Sequence, residues 1–158
     1  MNTQAAVLTG DLIASTAAGQ TATDAAMSVI EAIAANETAT DRVDTRFARS
    51  RGDGWQIYCN DPTRVFRLSV LVLANLQCRP DLPKTRISAA TGSVAFLPET
   101  GLASASGQVF TLSGRNLDSM GRSRLVFSDR GSSVGWRVAL FHYLEWQSSR
   151  WSPEQAEA

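Results

Sequence analysis

Residues 44–58 contain two strand-like runs on either side of Gly52-Asp53-Gly54, and this arrangement sets the first constraint on the fold. Runs rich in β-branched and aromatic residues around a short glycine turn are typical of a β-hairpin. A hairpin makes its two strands antiparallel neighbours in one sheet. An Asn-Gly pair would turn equally well, so the carboxylate at the tip of this hairpin needs a separate explanation.

Strand and helix patterns surround the hairpin on both sides. The apolar run at residues 5–9 ends at Gly10-Asp11 and predicts a buried central strand. Apolar residues at helical spacing predict a helix over residues 21–36. The same reasoning assigns a helix that begins at Asp61-Pro62-Thr63 and ends before Arg79-Pro80, strands over 84–97 and 124–128, and helices over 107–119 and 134–151.

The predicted order of elements is β-α-β-β-α-β-α-β-α. Helices that connect strands of one sheet favour the α/β class, here an α+β sandwich with its helices on one face of a mixed sheet. The chain of 158 residues suits a single domain, which we assign to residues 1–150. Residues 151–158 begin a further helix, because Ser152-Pro153-Glu154-Gln155 has the residues of a capping box. Since only three residues follow Gln155, we expect the natural chain to continue past Ala158.

The composition argues against several classes of function. The formal net charge is zero, which argues against direct binding of nucleic acid or of an anionic membrane by these 158 residues. No apolar run approaches the roughly 20 residues that span a bilayer, and no signal peptide is recognisable, so we predict a cytoplasmic protein. Cys59 and Cys78 fit no zinc or disulfide pattern and are predicted to be buried thiols.

Asp11 and Asp53 form the candidate site. If the first strand lies beside the hairpin, the two carboxylates meet at one edge of the sheet. Two nearby carboxylates repel each other, and a divalent cation relieves this repulsion. Mg²⁺ prefers such oxygen ligands and keeps water or substrate phosphates in its other positions. Each aspartate also has an ordinary explanation as a cap or turn residue, and the sequence leaves both interpretations open.

Four short motifs, in order along the chain, resemble those of class III nucleotidyl cyclases. They are Asp11 to Thr16, Arg49 to Asp53, Arg86 to Val94 and Gly107 to Arg115. The resemblance implies a ferredoxin-like, palm-like domain, a fold that these cyclases share with GGDEF domains and polymerase palms. It also implies a nucleoside triphosphate or other nucleotide as ligand and Mg²⁺ or Mn²⁺ as cofactor.

The chain is still more similar to the SatD family of small bacterial proteins. The shared features are Gly10-Asp11, the hairpin run from Gly52 to Gln56 and the helix run from Gly107 to Ser113. In that family a helix-turn-helix often follows the palm-like part, which would explain the helix begun at Ser152. The resemblance to this family implies no defined biochemical activity.

The cyclase resemblance assigns roles to individual residues. Asp11 and Asp53 match the two metal-binding aspartates, and the carbonyl group of Ile13 is a further candidate ligand. Arg115 matches the arginine that stabilises the transition state, a role that suits a guanidinium group. Three other matches depart from the cyclase pattern: the position of the ribose-orienting asparagine is held by Thr111, and the base-selecting positions are held by Arg49 and Ser104.

Two functions follow, and whether the chain is an enzyme stays open. The first is a divalent-metal-dependent, nucleotide-binding palm domain with nucleotidyl cyclase or nucleotidyltransferase activity. Class III cyclases build each active site between two subunits, so this function implies a homodimer. The second is a non-catalytic SatD-like regulator whose full-length form binds DNA through a C-terminal helix-turn-helix. The departures at Thr111, Arg49 and Ser104 favour the second function. Arg115 also has an ordinary alternative, a surface pairing with Asp118 on its own helix.

Overall fold

The computed structural model describes residues 3–41, 43–50, 52–129 and 135–158 of the chain. The strands are β1 (Gln4–Leu12), β2 (Thr45–Arg49), β3 (Gly54–Cys59), β4 (Thr85–Ser93) and β5 (Leu125–Asp129). The helices are α1 (Ser15–Ala18), α2 (Gln20–Asp41), α3 (Val65–Gln77), α4 (Gln108–Ser119), α5 (Trp136–Ser148) and α6 (Pro153–Glu157), with a 3₁₀ turn at Pro62–Arg64. Arg51 of the predicted hairpin and Val134 of the last predicted helix lie outside the described residues.

The described residues form one five-stranded sheet in the order β2-β3-β1-β4-β5. β1 lies between β3 and β4 and is antiparallel to both, and β2 is antiparallel to β3. β4 and β5 run parallel and are connected through α4. The first four strands therefore have the arrangement of a ferredoxin-like βαββαβ unit. The predicted α/β class and the mixed sheet are confirmed.

Helices cover both faces of the sheet. Ala6 and Leu8 of β1 join the larger core, where α2, α3 and α5 pack. Ala5 and Val7 point to the opposite face, where they meet Val109 of α4. The expectation that all helices lie on one face is therefore wrong for α4. The physical reason is the continuous apolar run of β1, because a strand with apolar side chains on both faces needs cover on both.

Two strands differ in length from the predicted ranges. β1 continues past residue 9 to Leu12, because Gly10 and Asp11 remain paired with both neighbouring strands. β4 ends at Ser93, four residues before the predicted end at 97. The chain beyond Ser93 leaves the sheet and makes only an isolated bridge between Phe96 and Ser106. The extension of β1 carries Asp11 into the sheet itself.

The last helix begins as the capping box predicts. The hydroxyl oxygen of Ser152 accepts a 3.3 Å hydrogen bond from the amide of Gln155, whose side chain accepts a 2.9 Å bond from the amide of Ser152. Trp151 packs against the larger core, and its carbonyl oxygen accepts a 2.9 Å hydrogen bond from Nε2 of Gln77. These contacts hold α6 against α3. Among the described helices, none combines the length and the apolarity needed to cross a membrane.

Candidate functional site

Asp11 and Asp53 lie side by side at one end of the sheet. In the antiparallel pairing of β1 with β3, Asp11 is opposite Gly54, the residue that follows Asp53. The amide of Leu12 donates a 3.1 Å hydrogen bond to the carbonyl oxygen of Asp53, which joins the end of β1 to the hairpin turn. The two acids therefore come from adjacent backbone segments, as expected from the sequence, and their role stays a prediction.

The carboxylate of Asp11 is held by Arg86 on the opposite neighbouring strand. Asp11 and Arg86 are directly opposed in the β1–β4 ladder. Nε of Arg86 donates a 2.9 Å hydrogen bond to Oδ1 of Asp11, and Nη2 donates to Oδ2, so the guanidinium group contacts both carboxylate oxygens. These hydrogen bonds raise the pKa of Arg86, and the negative charges of Asp11 and Asp53 act in the same direction while burial opposes them.

The carboxylate of Asp53 faces the loop that follows β1. The hydroxyl group of Ser15, the first residue of α1, donates a hydrogen bond to Oδ2 of Asp53. Ala14 adopts a left-handed backbone conformation with φ of 55°, which turns the chain from β1 into α1. The amide of Ile13 donates a 2.7 Å hydrogen bond to the carbonyl oxygen of Lys84, so the loop is tied to β4. The carbonyl group of Ile13, the third predicted metal ligand, lies in this tied loop.

A polar pocket of about 430 Å³ opens beside Asp53. It is lined by Ser15, Thr16, Gly19, Gln20, Thr23, Arg49, Gly52 and Asp53. Arg49 forms a 2.5 Å ion pair with Asp24 and donates a 3.4 Å hydrogen bond to the carbonyl oxygen of Gly52. The hydrogen bond from Arg49 lowers the pKa of Asp24, so this carboxylate is ionised over the neutral range. The pocket thus joins one predicted metal ligand to one predicted nucleotide-binding residue.

A larger groove lies elsewhere, between α2 and α3, with a volume of about 490 Å³. Its walls include Val29, Ile33 and Leu71, together with the buried carboxylate of Glu37. None of the predicted site residues lines it. We therefore place the candidate site at Asp11 and Asp53 and not at this groove, because the predicted metal ligands and Arg86, which contacts Asp11, all lie away from the groove walls.

Ser104, Thr111 and Arg115 lie apart from the pocket beside Asp53. All three are exposed, on α4 or in the loop before it. The hydroxyl group of Thr111 donates a 3.3 Å hydrogen bond to the carbonyl oxygen of Gly107 in its own helix. The alternative pairing of Arg115 with Asp118 is wrong, because the described part of the chain contains no ion pair between them. None of these three residues lines the pocket beside Asp53.

Trp55, which follows the turn, has a structural role. Its indole is fully buried in the larger core, and Nε1 donates a 3.0 Å hydrogen bond to Oγ1 of Thr85. A fully buried ring cannot stack on a nucleotide base, so Trp55 serves the packing of the core. Gly10 accommodates this ring, so the space that a side chain at residue 10 would need is filled by the indole.

Sequence reasoning missed two residues at the site, Arg86 and Ser15. Arg86 begins the motif from Arg86 to Val94, and Asp11 lies near the end of β1, so antiparallel pairing of these two strands would have indicated the contact. Ser15 lies four residues after Asp11 and had no signal of its own, because its contact with Asp53 depends on the left-handed turn at Ala14.

The donor set at the acids suits a hard divalent cation. Within the described ranges no group of three or more His, Cys, Asp or Glu side chains could hold a metal ion. Two carboxylates alone still fit Mg²⁺, which usually takes one or two carboxylates and completes its shell with water and substrate phosphates. The fit requires that Asp11 share or release the guanidinium group of Arg86.

Comparisons with known proteins bear on the fold. No family model and no curated protein matches the chain. The adenylate/guanylate cyclase/hydrolase from Silicibacter pomeroyi superposes with a TM-score of 0.57 at 14% identity, over 96% of this chain and 83% of that chain. A bacterial light-regulated adenylyl cyclase gives 0.55 at 14% identity, over 81% of this chain and 77% of that chain. An adenylate cyclase from Trypanosoma brucei in its monomeric state gives 0.55 at 12% identity, over 72% and 68%.

These structural similarities establish the fold, which the sequence motifs had only implied. At 12–14% identity they show a nucleotidyl cyclase-like palm fold and nothing finer. The fold that the cyclase motifs predicted is confirmed. Membership of the SatD family stays a prediction.

Proposed function

We propose that this chain is a nucleotide-binding, cyclase-like palm domain that works with a divalent metal ion, Mg²⁺ or Mn²⁺. The observation that carries the proposal is the juxtaposition of Asp11 and Asp53 on adjacent segments of a cyclase-like fold, with a polar pocket beside Asp53. A nucleoside triphosphate supplies phosphate oxygens, which are the ligands that such a cation lacks in a site with two carboxylates.

The metal ion would be held by the carboxylates of Asp11 and Asp53 and by the carbonyl group of Ile13. When bound, it would polarise phosphoryl oxygens as a Lewis acid. The hydroxyl group of Ser15 keeps the carboxylate of Asp53 oriented by hydrogen bonding to Oδ2. The guanidinium group of Arg49 lines the adjoining pocket, where its positive charge would attract the anionic or polar part of the nucleotide.

Arg115 is the proposed catalytic residue, acting on a substrate held by the acids of a second subunit. Two observations support this assignment: Arg115 is exposed, and none of the ion pairs in the described part of the chain includes it. Thr111 lies one helical turn before Arg115 on α4, and Ser104 lies in the loop that precedes this helix; all three are exposed, and the cyclase resemblance would place them at the same nucleotide. The domain would therefore function as a homodimer, in which each site draws on both chains.

A second candidate is a regulator that binds the nucleotide without turning it over. The hydroxyl group of Thr111, at the position of a ribose-orienting asparagine, bonds to its own helix at Gly107. A hydroxyl group that donates its proton to its own helix can only accept from a ribose, whereas an asparagine amide both donates and accepts, and this difference favours sensing over catalysis. This candidate is the SatD-like protein, in which a following helix-turn-helix would contact DNA. Gel-shift assays would compare the full-length protein with residues 1–158, and binding by the shorter chain would contradict this division of labour.

Calorimetry tests the proposal directly. We expect nucleoside triphosphates to raise the melting temperature of the protein only when Mg²⁺ or Mn²⁺ is present, because a ligand stabilises the state it binds. Asp11→Asn and Asp53→Asn should each abolish this stabilisation. Asp118→Asn is the matched control, since Asp118 is exposed on α4 and forms no ion pair among the described residues. If neither ATP nor GTP gives a metal-dependent shift in the unaltered protein, the proposal is wrong.

Product analysis separates the two candidates. Incubation with ATP or GTP and Mn²⁺, followed by chromatography of the nucleotides, would reveal cyclisation or transfer. Metal-dependent binding with product formation supports the enzyme. Binding without product supports the regulator.

A further inference from the structure

The candidate metal site contains its own cation. Arg86 donates from Nε and Nη2 to the two carboxylate oxygens of Asp11, in the planar fork geometry that arginine forms with carboxylates. Its remaining nitrogen, Nη1, lies 3.5 Å from the carbonyl oxygen of Gly121, at the outer limit of a hydrogen bond. The main partner of Arg86 is therefore one of the two proposed metal ligands.

The backbone holds this pair in place. Asp11 and Arg86 are directly opposed residues of the β1–β4 ladder, so the sheet fixes their backbone positions and only a rotation of the side chains can separate the two charged groups. The side chains of Arg86 and Asp11 are 34% and 26% exposed, which leaves the pair only partly screened by water. The charge of Asp53 also stabilises the guanidinium group. Arg86 thus neutralises part of the charge of both acids.

We propose that Arg86 is a built-in counter-cation of the Asp11–Asp53 pair, which competes with the divalent metal ion and weakens its binding when no phosphate ligand is present. This inference rests on the proposed function, because it concerns the same acids. A metal ion would share Asp11 with the guanidinium group, and two cations on one carboxylate repel each other. Metal binding must therefore displace Arg86 or act against its charge.

The competition has a consequence for the order of binding. A phosphate group that accepted hydrogen bonds from Arg86 would release Asp11 for the metal ion. Metal and phosphate would then strengthen each other's binding, since the coupling between two ligands is reciprocal. A domain of this kind would stay free of metal until the nucleotide arrives.

Manganese titration, followed by the electron paramagnetic resonance signal of free Mn²⁺, tests the inference without an activity assay. We compare the unaltered protein with Arg86→Lys and Arg86→Gln, each checked for folding by circular dichroism. Lysine keeps the charge but cannot form the fork, and glutamine removes the charge. We expect Mn²⁺ affinity to rise from arginine through lysine to glutamine, by about tenfold overall, because a charge-assisted contact no longer has to be displaced.

Arg46→Gln is the matched control. Arg46 lies on β2 and makes the same forked contact with Asp44, at 2.8 and 2.7 Å, above the ring of Tyr58. Its replacement should leave Mn²⁺ affinity unchanged, which separates the local competition from a general effect of net charge.

The outcomes distinguish this inference from the proposed function. If the unaltered protein binds Mn²⁺ and Asp11→Asn abolishes the binding, but Arg86→Gln binds Mn²⁺ no more tightly, the competition is wrong while the metal site stands. If no variant binds Mn²⁺, with or without ATP, both are wrong. Should Arg86→Gln fail to fold, an unchanged affinity in Arg86→Lys would overturn the inference.

Discussion

The indole ring of Trp55 occupies the space that a side chain at Gly10 would need. A Cβ atom at Gly10 would lie 2.4 Å from Cζ2 of Trp55 and 2.5 Å from the backbone oxygen of Arg86. Gly10 and Trp55 are opposed in the β1–β3 ladder, and Trp55 is fully buried. The contact fixes the spacing of β1, β3 and β4 at the residue before Asp11, so the core directly supports the candidate site.

Gly10→Ala should therefore destabilise the fold. One atom would have to be accommodated by the Trp55 ring and by backbone that cannot move, and overpacking of this kind costs about 1–3 kcal/mol. Chemical denaturation at neutral pH measures the change in the free energy of unfolding. Gly114→Ala on α4 is the control, because a Cβ there meets nothing within 4 Å. We expect that variant to gain up to about 1 kcal/mol from helix propensity.

Arg115→Ala should abolish turnover and leave nucleotide binding intact, if the domain is a cyclase. Loss of one group that stabilises transition-state charge typically lowers kcat by about 10²–10³-fold. Mixing Arg115→Ala with Asp11→Asn subunits should restore about a quarter of the activity, since half of the dimers then carry one complete site. Activity assays on the mixture provide the measurement. A mixture as inactive as its components would contradict a shared site.

Glu37→Gln should destabilise the packing of α2 on α3. The side chain of Glu37 is 5% exposed and accepts contacts from Arg64 at 3.4 Å and from Arg67 at 3.0 Å. We expect a loss of about 1 kcal/mol, because the side chain of Arg67 is 55% exposed and its charge stays solvated once Glu37 is neutral. Urea denaturation compares this variant with Glu31→Gln, an exposed change on the same helix. Equal stabilities would show that the ion pairs contribute nothing measurable.

Asp61 should make stability depend on pH in the acid range. Its Oδ1 accepts hydrogen bonds of 2.6 Å from the hydroxyl group and 2.9 Å from the amide of Thr63, and the hydroxyl contact is the main cause of its lowered pKa. A carboxyl group whose folded pKa is lowered stabilises the protein above its usual pKa of about 4 and loses that contribution as the pH falls through the folded value.

Asp61→Asn isolates this effect, because asparagine can still cap the turn. The stability difference between the unaltered protein and this variant should shrink as the pH falls from about 5 to about 3. Denaturation curves at several pH values provide the measurement. A difference that stays constant over this range would contradict the assignment.

The main elements were predictable because their signals are local. The hairpin around Gly52-Asp53-Gly54 and the cap at Ser152 depend on residues next to one another in the sequence. The meeting of Asp11 with the hairpin also follows once β1 is placed beside β3. That α4 covers the second face of the sheet was not predicted from the sequence, although the unbroken apolar run of β1 indicated burial on both faces.

The partners of the acids were beyond local reasoning. Arg86 is 75 residues from Asp11 and Ser15 is 38 residues from Asp53, so their contacts arise only from the sheet register and the turn at Ala14. The pocket beside Asp53 likewise combines α1, α2 and the hairpin.

The sequence by itself determined the order of the main elements and the class of fold, and it placed the two candidate acids at the end of a strand and in a turn, because hydrophobic period and turn chemistry act over a few residues. The tertiary structure alone decided that Asp11 faces a guanidinium group, that Trp55 is buried in the core and that Arg115 does not line the pocket beside Asp53. Each of these depends on which distant segments the sheet makes neighbours, and long-range pairing has no signature within a single short stretch of chain.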